Sequence, residues 1–553
     1  METSMNLWKT KLMANGEELG EVEIKQGIFQ GDSLSPLLFI LSMIPLTIIL
    51  KKVNCGYELA KKGLKISHLV YMDDLKLFGK TKAELNLLIE STKEFSQDIG
   101  MQFGIDKCAT MATKAGKVLE DDGIQLESEE MIKAVKPEEG YKYLGILEAS
   151  DLMHNKVKEL TSAKYIQRIR KVLKSKLNGG NIIKAINTWA IPVIRYSAGI
   201  IDWTQMELDN LDRKTRKLMT MNHALHPKSD VDRLYLPRAE GGRGLLQVKQ
   251  TVEEERHSLN DYIQKREEPM IKEVNKGGLL KTTKSKAEYK KEVIEKRAEN
   301  WKSKAMHGQY LKSIEGKADQ KLTWNWLRSG VLKKETEGFI LAAQEQALAT
   351  NCMKAKIQHV TTNSKCRLCN EKDETVDHLI SGCSKISQTD YLQRHDRVAK
   401  IIHWKLCQKF GFEYSKNHWD HQVEKVLENE KVKILWDFRI QTDRHLAHNT
   451  PDITIIEKKK VWFIDIAIPG DARIENKQQE KITKYRDLQI EVERLWKKKS
   501  CVVPIVIGAL GAIPKGLPRH LKILNLPDLN ILTLQKTTLL GTTYILRRYL
   551  NSS

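Results

Sequence analysis

Cysteine is scarce. Eight thiols in 553 residues cannot staple a chain of this length, which excludes a disulfide-framed secreted scaffold. The amino terminus, Met-Glu-Thr-Ser-Met-Asn, has neither a basic leader nor an apolar segment, so no secretory signal is expected and the protein reads as intracellular. Long unbroken apolar runs are missing too. The stretch Leu34 to Leu50 is interrupted by Ser35, Pro36, Ser42, Pro45 and Thr47. It is short for a bilayer crossing, so it is expected as a buried helix, with no membrane partner. Acid is lacking in one particular place: no aspartate precedes Asp32.

What the chain has is positive charge. Against 71 Asp and Glu stand 92 Lys and Arg, a formal net charge of +21. That favours a polyanionic partner, nucleic acid above all, over an acidic small molecule. The length allows about three or four domains with substantial cores.

The stretch Leu69-Val-Tyr-Met-Asp-Asp-Leu-Lys-Leu-Phe78 predicts two apolar strands and a tight turn carrying Asp73 and Asp74. Adjacent carboxylates on a hairpin tip repel each other unless a cation compensates, which points to a divalent metal, magnesium by its oxygen ligands. Upstream, Gln26-Gly-Ile-Phe-Gln-Gly-Asp-Ser-Leu-Ser-Pro-Leu-Leu-Phe39 predicts a glycine turn, with Ser35 as helix cap and Pro36 at the first helical position. This pair of motifs, in this order, resembles the palm of a reverse transcriptase. The resemblance implies that Asp73 and Asp74 hold Mg2+ and that Gln30 and Gly31 contact template and incoming nucleotide. It further implies that Lys107, expected on a strand over 101–108, neutralises nucleotide phosphates. Tyr141-Lys-Tyr-Leu-Gly145 resembles the hairpin that grips the primer end, with Tyr143 and Gly145 as contacts. The family also has an aspartate well upstream of the Gln-Gly-Asp loop; with none before Asp32, the palm is expected to be partial, amino-terminally truncated, and its polymerase activity incomplete in these 553 residues.

From about Asn155 to Gln247 the pattern is helical, with a basic run at Lys164, Arg168, Arg170, Lys171, Lys174 and Lys176 suited to a duplex backbone. Thr188 to Arg195 and Glu240-Gly-Gly-Arg-Gly-Leu245 resemble the thumb of non-LTR retrotransposon polymerases. Residues 251–350 alternate Glu and Lys and read as a mobile helical linker. Cys366, Cys369, His378 and Cys383 stand in C-x2-C-x8-H-x4-C spacing. Three thiolates and an imidazole so spaced can close on Zn2+ as a structural site. The argument for metal there is that so short a knuckle has almost no apolar core of its own.

The last part is expected to be α/β. Asp452 opens one strand of a hairpin and Asp465 lies in the other, twelve residues intervening, so both carboxylates can face one metal. A basic helix is expected from about Asn476 to Lys499. This resembles the PD-(D/E)xK nucleases and, with the knuckle upstream, the restriction-like endonuclease of non-LTR retrotransposons. The lysine two residues after the second acid is replaced by Ala467. In the retrotransposon branch the lysine comes from the following helix, which leaves Lys481 or Lys484 as candidate, with Tyr485 nearby; His395 is expected at the surface or on a phosphate.

The expected architecture is multidomain α+β: a partial palm over 1–150, thumb over 151–250, charged linker over 251–350, CCHC zinc knuckle over 351–412 and nuclease over 413–553. The function the resemblance implies is target-primed reverse transcription, with Mg2+ and Zn2+ as cofactors, an RNA template and a DNA target as partners, and the nucleus as the place of action on DNA. Two rivals stay open, an endonuclease alone and a non-catalytic nucleic-acid-binding relic.

Overall fold

The computed structural model describes residues 8–24, 27–28, 31–59, 64–102, 104–126, 130–276, 284–526 and 529–550. The chain divides into two compact units, Met1–Glu159 with Tyr262–Lys281, and Leu160–Asp261 with Thr282–Ser553. Helices and strands are mixed throughout, as the multidomain α+β expectation requires.

The first unit opens on a hairpin, β1 (Lys9–Ala14) and β2 (Glu17–Glu23). Asn15 and Gly16 both take positive φ there, the mirror-image turn that an Asn-Gly pair favours. Helix α1 (Ser35–Lys52) follows. Pro36 occupies its first turn as expected, but Leu34 is the cap and Ser35 lies inside the helix, its hydroxyl buried and unpaired. By length and composition α1 could cross a membrane. Of its side chains only Ser35, Met43, Leu46 and Leu50 are buried, so the expected buried helix is buried along one stripe and exposes Ile40, Leu41, Ile44 and Ile48. That stripe packs with Leu88 and Phe95 of a helix, α2 (Lys82–Asp98), and with Leu75 and Leu77 of a second hairpin, β3 (His68–Tyr71) and β4 (Asp74–Leu77). Helix α2 is capped by Thr81 and ends before Gly100, whose φ is +72°. The strand expected over 101–108 is instead a short 3-10 turn, Ile105–Lys107. A third hairpin, β5 (Tyr141–Tyr143) and β6 (Ile146–Glu148), closes the unit's central elements. Its turn residues Leu144 and Gly145 both have positive φ.

The second unit begins along α3 (His154–Lys174), whose Tyr165, Ile169, Val172 and Leu173 are buried while Lys164, Arg170, Lys171 and Lys174 are exposed. Within the linker expected over 251–350, buried ion pairs and tryptophans make residues 301–345 part of a packed core. Glu337, fully buried on α4 (Lys334–Gln344), accepts from both Arg238 and Arg243 around the Gly241–Gly244 segment. Arg233 pairs with Glu345 and lies over the rings of Trp301 and Trp324. Gly241 lies so close to Trp324 that an added Cβ would come within 2.7 Å of its ring. The Glu/Lys composition concealed this core because its anchors, Trp301, Trp324 and Trp326, are few and large.

The same core takes in the Cys/His segment. Cys366, Val376, Leu379, Ile380 and Cys383 pack with Trp326, Leu341 and Leu539 in one cluster, so the knuckle is not short of apolar support, as the sequence argument held. A long helix, α5 (Leu392–Phe410), leads to a five-stranded sheet of β7 (Val426–Glu428), β8 (Val432–Trp436), β9 (Ile453–Glu457), β10 (Lys460–Ala467) and β11 (Lys499–Val506), in that spatial order. The first four strands are antiparallel neighbours and β10 pairs with β11 in parallel. Ile464 and Ile466 face Val398, Ile401 and Ile402 of α5, while Val461 and Phe463 face the opposite layer with Tyr485, Leu488 and Val492. That layer is two helices, α6 (Ile474–Lys484) and α7 (Arg486–Trp496), where one was expected. The break falls at Tyr485, which is buried against Phe463 with ring centroids 6.5 Å apart.

Candidate functional site

The period of two along β10 decides the carboxy-terminal site. Phe463 faces the α6–α7 layer, so Asp465 faces it too, mid-strand and 1 % exposed. The register Ile453↔Ile464, continued by one step, sets Asp452 across from Asp465. Helix α6 delivers both candidate lysines to that point. Lys481 Nζ stands against Asp465 Oδ2, and Lys484 Nζ lies 3.5 Å from Oδ1. The Tyr485 hydroxyl, 2.7 Å from Oδ1, donates to Asp465 and accepts from Lys484 at 2.8 Å. Burial, followed by the Asp465 charge, drives the Tyr485 pKa far up and keeps it a donor. Lys481 contacts Oδ2 as an ion pair without hydrogen-bond alignment, and Oδ2 has no hydrogen-bond partner. The Lys481 ammonium thus neutralises Oδ2, and a metal ion there would take its place on that oxygen.

Asp452 is held from two directions. Its Oδ2 accepts the Ile466 N–H at 2.6 Å and lies 3.0 Å from His395 Nε2, while His395 Nδ1 lies 3.0 Å from Asp396. Burial acts against charge on His395, but Asp396 and Asp452 outweigh it and raise its pKa to about 10. Burial likewise pushes the Asp452 carboxyl up, yet His395, the Ile466 N–H and Lys481 bring it below its ordinary value. His395 is therefore not a free surface residue, as expected from sequence, but the neighbour of the first acid. Its place in the first turn of α5 could be read only once α5 was known to pack on the other side of the sheet and to bring His395 to Asp452. Asp437, whose N–H donates to the Asp452 carbonyl at 2.9 Å, was also missed; its charge adds to the rise at Tyr485.

Cys366, Cys369, His378 and Cys383 converge, their ligand atoms all within 4.8 Å of one another. Cys369 Sγ lies 3.3 Å from His378 Nε2, and Cys366 Sγ 4.0 Å from Cys383 Sγ. Arg367 braces the site by a salt bridge to Glu374 at 2.8 Å and a bond to the Tyr549 carbonyl at 2.7 Å.

In the first unit, Asp73 occupies the turn and Asp74 is the first residue of β4, paired with Tyr71. Met72 has φ +54°, which turns the chain tightly enough to present both acids at an exposed tip. The β5–β6 hairpin lies alongside. Lys76 of β4 pairs with Glu148 of β6 and sits 5.1 Å over the Tyr143 ring. Burial and then the Asp74 charge raise the Tyr143 pKa. The Tyr141 hydroxyl donates to the Lys107 carbonyl at 2.9 Å. Thus Asp74, Lys107, Tyr143 and Gly145 are brought into one neighbourhood. Gly31 is an exposed turn residue with φ +99°, and Gln30 lies outside the described residues.

Residues 1–147 match the family described as reverse transcriptase (RNA-dependent DNA polymerase). The wider chain is similar to polyproteins of R2 retrotransposable elements. It is 23 % identical over 558 residues to the retrovirus-related Pol polyprotein from type-1 retrotransposable element R2 of Popillia japonica, covering 96 % of this chain and 83 % of that one. To the Bradysia coprophila counterpart it is 22 % identical over 520 residues, 89 % of this chain and 55 % of the relative. The Pol polyprotein from type-2 element R2DM of Drosophila melanogaster is 35 % identical over 143 residues, a quarter of this chain and 13 % of the relative.

Proposed function

We propose that this chain nicks DNA in its second unit and copies RNA from the nick at Asp73 and Asp74, the work of a non-LTR retrotransposon polyprotein by target-primed reverse transcription. The observation that carries the nuclease half is the convergence of Lys481, Lys484 and Tyr485 on Asp465, with Asp452 one register step across from it on the neighbouring strand. The reverse-transcriptase match over 1–147 supports the other half.

The donor set of the nuclease fits magnesium. It offers two carboxylates from neighbouring strands, hard oxygen ligands of the kind magnesium takes. Asp452 and Asp465 would hold a divalent ion that stabilises charge and lowers the pKa of an attacking water, and Asp73 and Asp74 would hold one that does the same for a primer 3′ hydroxyl. The chain's own residues do the rest. His395 and the Ile466 N–H hold Asp452 in one rotamer. Tyr485 orients Asp465. Lys481 and Lys484 place positive charge where the phosphate develops negative charge. In the first unit the Tyr143 ring and Gly145 steady the primer end, and Lys107 faces nucleotide phosphates. A zinc ion held by Cys366, Cys369, His378 and Cys383 serves the fold, since all four positions are filled by protein and none is open for chemistry.

The test uses the full chain with supercoiled plasmid and, separately, a primed RNA template. Mg2+-dependent nicking should fall by orders of magnitude in Asp465→Ala and be untouched by Asp73→Ala. Any primer extension should show the reverse pattern. Nicking that survives Asp465→Ala places the nuclease elsewhere.

A further inference from the structure

A second cluster of metal-ligand atoms lies outside both sites. His403 and Cys407 stand four residues apart on α5, one turn apart on the same face. The loop that follows, after Gly411 ends the helix in the left-handed region, returns to bring in His421. The three side chains are at most 3 % exposed. His403 Nδ1 lies 2.8 Å from His421 Nε2, and Cys407 Sγ lies 3.6 Å from the first and 4.0 Å from the second. A tetrahedral zinc, with bonds of about 2.0 Å to nitrogen and about 2.3 Å to sulfur, has ligand edges of roughly 3.3 Å and 3.6 Å. The nitrogens stand closer than their edge and one sulfur–nitrogen distance is longer than its edge, so a modest parting of the two imidazoles, with Cys407 moving toward His421, seats an ion. We propose that His403, Cys407 and His421 form a second transition-metal site, filled by zinc, distinct from the Cys366–Cys383 knuckle.

Two further observations bear on it. His403 Nε2 is buried with no hydrogen-bond partner, and the ring meets Trp436 of β8 edge-on at 5.7 Å. The outer nitrogen of His403 is bare whether Nδ1 meets His421 or a metal, so the ligand set rests on the three inner atoms that converge, His403 Nδ1, His421 Nε2 and Cys407 Sγ. As a ligand set it is complete in kind, two imidazoles and a soft thiolate. One thiolate on Zn2+ leaves a single positive charge. Glu424, whose negative charge acts on both Cys407 and His421, offsets part of that charge, and the fourth position would be taken by water. The site would clip residues 411–425, which have almost no regular structure, to α5 and to the sheet that bears the nuclease acids.

The test counts metal in the full chain, saturated with zinc and then dialysed. Two zinc ions per chain are expected. Cys407→Ser should remove one, Cys366→Ser should remove the other, and the double variant should hold none. A single zinc in the wild-type chain that Cys366→Ser abolishes would overturn the second site and leave the knuckle standing. Two zinc ions retained by a folded Cys407→Ser chain would overturn it as well. Should Cys407→Ser fail to fold, His421→Cys decides. In the cobalt-substituted chain the thiolate-to-cobalt absorption should grow by one thiolate's share, and no growth refutes the assignment.

Discussion

Removing Lys481 probes the nuclease centre most sharply, because sequence left Lys481 and Lys484 equivalent and the structure does not. Lys481 is 13 % exposed and stands against the oxygen of Asp465 that lacks a hydrogen bond; Lys484 is 27 % exposed, 3.5 Å from the other oxygen, and shares it with Tyr485. Stripping one partner from a buried ion pair costs about 3–5 kcal/mol. Lys484 and Tyr485 stay on Asp465, so the folded state of Lys481→Ala should lose only about 2 kcal/mol, short of unfolding a chain of this size. The effect on rate should be larger than that on stability. A fixed positive charge facing the phosphate contributes on the order of 3–4 kcal/mol to the transition state, so nicking by Lys481→Ala should slow about 100- to 1000-fold, with Lys484→Ala near tenfold. The assay is the initial rate of supercoiled-to-open-circle conversion in saturating Mg2+, with a thermal melt of each variant to confirm folding. A Lys481→Ala rate within about threefold of wild type, or Lys484→Ala the slower of the two, would refute the assignment.

Binding to nucleic acid should be steep in salt, because Lys164, Arg170, Lys171 and Lys174 of α3 are exposed on one helix and phosphate contacts release counterions. Alanine at these four should weaken duplex binding alike for every sequence and flatten the salt slope, measured by titration from about 50 to 200 mM salt. Cys369→Ser should lose one zinc by elemental analysis, yet destabilise residues 351–410 only in part, since Val376, Leu379 and Ile380 remain in a shared core; complete local unfolding by hydrogen exchange would contradict that core. Asp471 makes stability depend on pH. Burial raises its carboxyl to about 6 despite bonds from the Leu510 and Ala512 N–H groups. Its folded pKa thus exceeds the unfolded value, so the stability it contributes is present below about pH 4 and is lost as pH rises through 6, about 3 kcal/mol in all. Asp471→Asn should flatten that limb of a denaturant-midpoint profile, leaving the share of Asp212, whose carboxyl burial also raises to about 6.

Sequence by itself determined what local pattern and residue chemistry encode. The turn at Asp73 and the 452–468 hairpin follow from turn chemistry and period-two alternation, which depend on neighbours a few residues apart. Spacing also picked out Cys366, Cys369, His378 and Cys383, because so short a segment can close on itself. Tertiary structure decided everything that needed a distant partner. That Glu337 neutralises Arg238 and Arg243, and so turns a presumed linker into core, rests on contacts about a hundred residues apart. The helix break at Tyr485 arises because Asp465 and Phe463 on another element offer its ring and hydroxyl a buried place, which outweighs a continuous basic helix. The same holds for His395 on Asp452 and for His421 against His403 and Cys407. A histidine's role is set by what packs against it, and only the folded chain brings those groups within reach.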